Sequence, residues 1–110
     1  MAQFMTDSTL PAFVAASQLP VLVDFYKDGC VPCRRVAPLL SKAEEKYAEQ
    51  LVIVRVNISQ NPALVERYGI QAAPTIVAFR GGEEAARHRG VIDMPGLEAL
   101  IQTIIKTQGV

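Results

Sequence analysis

Tryptophan is absent from this 110-residue chain, histidine occurs once and cysteine twice. Two cysteines cannot build a disulfide framework, and a chain of this length does not need one to hold a core. The lone histidine, His88, cannot complete with two cysteines the four ligands that structural zinc wants. Excess charge is missing too. Eleven Lys and Arg balance eleven Asp and Glu, so there is no basic footprint for nucleic acid or anionic lipid. No apolar run approaches the length of a membrane span. The first residues, Met1-Ala2-Gln3-Phe4-Met5-Thr6-Asp7, lack the basic start and apolar block of a secretion signal, which makes the cytoplasm the expected location. No internal repeat, low-complexity segment or linker divides the chain, so residues 1–110 are expected to form one domain.

Half of the residues are apolar, which excludes a disordered chain. Both cysteines fall in one stretch, Lys27-Asp28-Gly29-Cys30-Val31-Pro32-Cys33-Arg34. An apolar run leads into it and a segment of helical periodicity leads away, so the pair should sit where a strand ends and a helix begins. A helix N-terminus offers partial positive charge and free N–H donors. Lys27, Arg34 and Arg35 outweigh Asp28 nearby. These features favour a thiolate, the reactive form of cysteine. In a reducing compartment such a pair is catalytic or metal-binding rather than a staple. A cluster shared between two chains and a redox-inert core pair remain open as alternatives.

In chain order, Met1 to Thr6 allow a short first strand. Asp7 or Ser8 is placed to cap a helix running to about Ser17, with Leu10, Phe13, Val14 and Ser17 on one face and Pro11 in its first turn. Val21-Leu22-Val23-Asp24-Phe25-Tyr26 reads as a strand buried on both faces. A helix follows from Val31 to about Glu49, with a stripe of Val36, Leu39, Leu40, Ala43 and Tyr47 and a kink expected at Pro38. Leu51 to Asn57 is the next strand. Asn61 and Pro62 start a short helix that Gly69 stops. Thr75–Arg80 and Glu83–Arg89 form a hairpin around Gly81-Gly82. Asp93 caps a last helix whose stripe is Leu97, Leu100, Ile101, Ile104 and Ile105, with Gly109 just past its end. Helices alternating with apolar strands predict an α/β sandwich with helices on both faces of the sheet and a right-handed crossover between the strands at Val21 and Leu51.

With those elements in place, the chain resembles the thioredoxin family. The resemblance rests on Val21 to Tyr26, Cys30-x-Pro32-Cys33-Arg34, Ala37-Pro38, Asn57-Ile58, Gln60-Asn61-Pro62, Tyr68-Gly69-Ile70, Ala73-Pro74-Thr75 and Gly81-Gly82-Glu83, in family order and spacing. A Cys-x-x-Cys beside a strand–helix–strand pattern is itself a signature of such proteins. The chain departs from the family at Val31, which replaces the usual Gly between the cysteines. Gly29 stands where a Trp usually precedes the first cysteine, Tyr26 replaces a second Trp, and Ala72 a small Gly. With no Trp, the family's usual fluorescence change on reduction should be missing.

The resemblance implies a thioredoxin fold, a central mixed five-stranded sheet flanked by four helices. It implies a disulfide reductase that works by dithiol exchange in cell redox homeostasis and electron transport, as a monomer, on disulfide-containing proteins, with thioredoxin reductase as electron donor and no cofactor or metal. Cys30 would be the nucleophile, partly exposed, and Cys33 the more buried resolving thiol. Asp24 would be a buried acid behind Cys33 that handles its proton, and Arg55 matches a family Lys near that acid. An Asp solvated at a strand end or paired with Arg55 is the plainer reading. The Ala73–Pro74 bond would be cis. Val31, Pro32, Ala72, Ala73, Pro74, Gly90 and Val91 would form a docking surface on which the Ala73 backbone pairs with an extended substrate segment. Arg87-His88-Arg89 reads more simply as a solvated edge. An oxidase or isomerase of the same fold, and a binding module without catalysis, are the competing functions.

Overall fold

A computed structural model describes residues 3–6 and 9–105 of the chain. Its elements follow the order β1 (Gln3–Phe4), α1 (Leu10–Ala16), β2 (Val21–Tyr26), α2 (Val31–Lys46), β3 (Val52–Asn57), α3 (Pro62–Tyr68), β4 (Thr75–Arg80), β5 (Glu83–Arg89) and α4 (Met94–Ile105). The sheet runs β1-β3-β2-β4-β5. Strand β3 pairs parallel with β1 and β2, while β2–β4 and β4–β5 are antiparallel. The mixed sheet therefore has four full strands and a two-residue fifth at its edge.

Side chains alternate across a strand, and that alternation divides the core. Val21, Val23 and Phe25 of β2 join Val54, Val56, Val77 and Phe79 under Leu10 and Val14 of α1 and Leu64 of α3. Leu22, Ile53, Ile76 and Ala78 face the other way, against Val36, Leu40 and Ala43 of α2 and Leu97, Ile101 and Ile104 of α4. Asp24 follows the parity of Leu22, so it lies on the α2 side of the sheet. That is the side of the helix that carries the cysteines.

The element ends show local chemistry at work. Helix α2 stops at Lys46, short of the expected Glu49. The Tyr47 carbonyl is taken by the N–H groups of Gln50 and Leu51, at 2.8 and 3.1 Å, in a turn that feeds β3. Pro38 lies inside α2, where it has no N–H to offer the Arg34 carbonyl. Asn61 holds the N-cap position of α3 without a side-chain cap bond. Its amide instead donates to the Asn57 carbonyl at 2.8 Å, closing the loop after β3. Gly69 ends α3 in the left-handed conformation. Asp93 caps α4 as expected, its carboxylate accepting from Gly96 N–H at 2.8 Å. The predicted caps Asp7 and Ser8, and Gly109 beyond α4, lie outside the described residues; Thr9 takes the N-cap position of α1.

The hairpin turn needs two residues with positive φ to match the twist of its strands. Gly81 (φ 62°) and Gly82 (φ 83°) supply them.

Candidate active site around Cys30 and Cys33

The strand–helix junction puts the cysteines at one end of the sheet. Tyr26 ends β2, Gly29 turns the chain with φ 67°, and Cys30 is the N-cap of α2. Pro32 lies in the first turn of α2, where its missing N–H is not needed. A disulfide joins Cys30 to Cys33 across one turn, with the Cα atoms 5.3 Å apart. The Cys33 N–H donates to Cys30 Sγ at 3.1 Å. The sulfur of Cys30 thus occupies the place an N-cap oxygen usually takes. That place carries a backbone donor and lies at the positive end of the helix.

Cys33 is 2% exposed and Cys30 only 5%. The expected partial exposure of Cys30 is thus small. Its sulfur is bonded to Cys33 and lies 3.9 Å from the Ala73 carbonyl oxygen, which covers it from the side of the hairpin. The Ala73–Pro74 bond is cis. The loop is closed by Thr75, whose buried hydroxyl donates to the Ala72 carbonyl at 2.6 Å. Val31 and Val91 are among the few large apolar side chains left exposed, each at 53%. Pro32 and Ala72 are exposed as well, Ala73 and Gly90 half-buried, and Pro74 buried. The Gly90 N–H donates to the Pro74 carbonyl at 2.7 Å, tying the chain after β5 to this loop.

Asp24 is 1% exposed and opposes Arg55 of β3 in the sheet register. Its Oδ2 accepts from Arg55 Nε at 3.0 Å, and its Oδ1 has no hydrogen-bond partner among the described residues. Burial pushes the Asp24 carboxyl above its ordinary value, and the Arg55 charge and hydrogen bond recover part of that shift. The two sequence readings of Asp24 therefore combine: it is buried, and it is paired with Arg55. The guanidinium of Arg55 lies 4.2 Å from the Tyr26 ring centroid and 5.8 Å from that of Phe4, whose ring meets Tyr26 edge-on. A cleft of about 350 Å³ runs from Cys30 and Cys33 past Lys27 and Arg34 to Arg55. The sequence reading placed Asp24 and Arg55 together but missed the aromatic side of the arrangement. A cation two strand positions from an aromatic in the neighbouring strand was the available signal.

A second omission is the bracket that holds Asp28. Asn57 Nδ2 donates to Asp28 Oδ1 at 3.0 Å, Ser59 N–H donates to Asn57 Oδ1 at 2.9 Å, and Asp28 N–H reaches Ser59 Oγ at 3.4 Å. Asp28 is thereby engaged with the loop after β3, beside its weight in the local charge balance. Among the described residues, no three His, Cys, Asp or Glu side chains gather as a metal would need.

A redox-capable cysteine pair at the N-terminus of a helix, set on a mixed sheet with helices on both faces, defines the thiol–disulfide oxidoreductases of this fold. The family model for thioredoxin matches residues 2–104, and the chain belongs to the thioredoxin family. Relatives include a thioredoxin of Streptomyces clavuligerus, 46% identical over 79 residues that cover 72% of this chain and 73% of the relative. Thioredoxin 1 of Synechococcus elongatus is 40% identical over 83 residues, 76% of this chain and 78% of its own. A thioredoxin of Porphyra purpurea is 34% identical over 101 residues, 92% and 94% of the two chains. The protein is a thiol–disulfide oxidoreductase, and its family works through the cysteine pair without a cofactor.

Proposed function

We propose that this chain, as a single domain over residues 1–110 and as a monomer, reduces disulfides in other proteins of the cytoplasm and passes on electrons received from a thioredoxin reductase. The observation that carries the reading is Cys30 at the N-cap of α2, with a backbone N–H aimed at its sulfur and Cys33 one turn behind. In the reduced protein, the Cys30 thiolate attacks one sulfur of the substrate disulfide. The other substrate sulfur leaves as a thiolate and takes up a proton. Cys33 then loses its proton and attacks Cys30 Sγ, releasing the second substrate thiol and leaving the Cys30–Cys33 disulfide. Two electrons have moved to the substrate, and the reductase returns the pair to its dithiol form.

Asp24 suits the proton that Cys33 must lose. Burial keeps its carboxyl above the ordinary range, where it can exchange a proton nearer neutrality. Arg55 limits that shift from one side and opens on the cleft beside the cysteines from the other. Val31, Pro32, Ala72, Ala73, Pro74, Gly90 and Val91 form the docking surface, with small apolar groups and main chain that suit many partners.

The test is turnover of insulin disulfides with a chemical dithiol as donor. Replacing Cys30→Ser should abolish it, whereas a pure binding module would have no turnover to lose in the parent protein. Protein purified without chelator should hold no stoichiometric zinc or iron; finding either would overturn the exchange mechanism.

A further inference from the structure

The chain leaves β5 through Gly90, whose φ of 90° only glycine adopts freely, and reaches Val91 and Ile92 before Asp93 opens α4. Two anchors flank this short segment. Gly90 N–H is held by the Pro74 carbonyl at 2.7 Å, and the Ile92 side chain is buried in the core against α4. Between them Val91 stands exposed, and an open cavity of about 440 Å³ lies beside it, lined by His88, Val91, Ile92, Gly96 and Leu100. The Val91 side chain is therefore not held by the core. Its carbonyl is met by a neighbouring side chain: His88 Nε2 lies 3.0 Å from the Val91 carbonyl oxygen. A carbonyl can only accept, so Nε2 carries the hydrogen.

We propose that His88, half-buried on β5, is a positioning residue for substrate docking: its bond to the Val91 carbonyl sets the orientation in which Val91 meets a protein disulfide. The proposal rests on the reading of Gly90 and Val91 as part of the docking surface. His88 touches neither sulfur nor substrate. Its loss should weaken binding of large substrates and leave the chemistry of the cysteine pair alone.

The experiment compares His88→Leu and His88→Gln with the parent protein on insulin and on hydroxyethyl disulfide, a substrate too small to need the docking segment. His88→Leu should raise KM for insulin measurably and by up to about fivefold, the limit when the order that one internal hydrogen bond supplies must be met on docking. Its kcat, the reduction potential of the pair and the rate with hydroxyethyl disulfide should stay as in the parent. His88→Gln, whose amide carries a donor near the place of Nε2, should restore KM to within about twofold. An unchanged insulin KM in His88→Leu overturns the proposal. So does a Gln variant as impaired as the Leu variant, or an equal slowing with the small disulfide. Val91→Asp separates the two readings: if it raises the insulin KM while His88→Leu does not, the tether fails and the docking surface stands. If Val91→Asp changes nothing, the docking surface itself fails, and the proposal with it.

Discussion

Asp24 is the residue whose chemistry departs furthest from its surroundings. It is a carboxylate in a strand otherwise built of Val, Leu, Phe and Tyr, with one oxygen bonded to Arg55 and the other without a partner among the described residues. Its folded carboxyl titrates above the unfolded one, because burial outweighs the help from Arg55. The folded state therefore binds more protons than the unfolded state across that window. Stability is fully favoured below the unfolded value of 3.8 and declines as pH rises through the raised folded value. Asp24→Asn should remove that decline. At pH 7 the variant should be more stable than the parent, because burial of the charge outweighs the help from Arg55, and the gain should vanish in acid, as urea titrations at the two pH values would register. The same variant should slow release of substrate from the mixed disulfide with Cys30, read as accumulation of that species by mass spectrometry. Cys33→Ser should trap it outright. An Asp24→Asn protein that neither gains stability nor accumulates the intermediate would leave Asp24 without the proposed role.

At the scale of elements, the turns and caps decide where the site residues lie. The Gly81-Gly82 turn starts the β4–β5 pairing at Arg80 and Glu83, and a one-residue bulge opposite Ala78 and Phe79 shifts it to the register that brings Gly90 beside Pro74. Gly81→Ala should cost about 1 kcal/mol for an L-residue at positive φ, a fall in melting temperature of about 4–8 °C for a domain of this size, with exchange activity retained at 25 °C. Thermal unfolding followed by circular dichroism measures it; no loss would mean that the turn relaxes to another type. Much of this level was legible in the sequence. The β-branched run at Val21, the helical stripe from Val36 to Ala43 and the Gly-Gly pair each carry a strong local pattern, and the strands and α2 lie where those patterns put them, with α2 ending a turn early. What was not legible depends on contacts between distant segments. The Asn57 amide holding Asp28, the Ser59 hydroxyl accepting from the Asp28 N–H and the Gly90 N–H held by the Pro74 carbonyl are set by tertiary geometry that no local pattern encodes. The same holds for Cys30: its place at a helix start was readable, but its cover by the Ala73 carbonyl required the hairpin to fold back from 43 residues away.

The whole molecule couples the state of two sulfur atoms to the stability of the domain. The disulfide closes a very short loop, with a sequence separation of 3. In the chain-entropy account a loop that small still restrains the unfolded chain by about 2 kcal/mol. The oxidised protein should accordingly resist urea better than the reduced one by that order, and equal midpoints would contradict it. The family, the α/β architecture and the exchange chemistry are given by the cysteine pair, the sheet order and the relatives together. The direction of electron flow is the central claim, and Val31, bulkier and stiffer than the family's usual Gly, lies between the two cysteines that carry it. Equilibrating the Cys30–Cys33 pair against a graded dithiol buffer gives its reduction potential. A reductase should lie near the value of about −270 mV typical of thioredoxin, whereas a value near about −120 mV, that of a strong oxidant, would contradict the account.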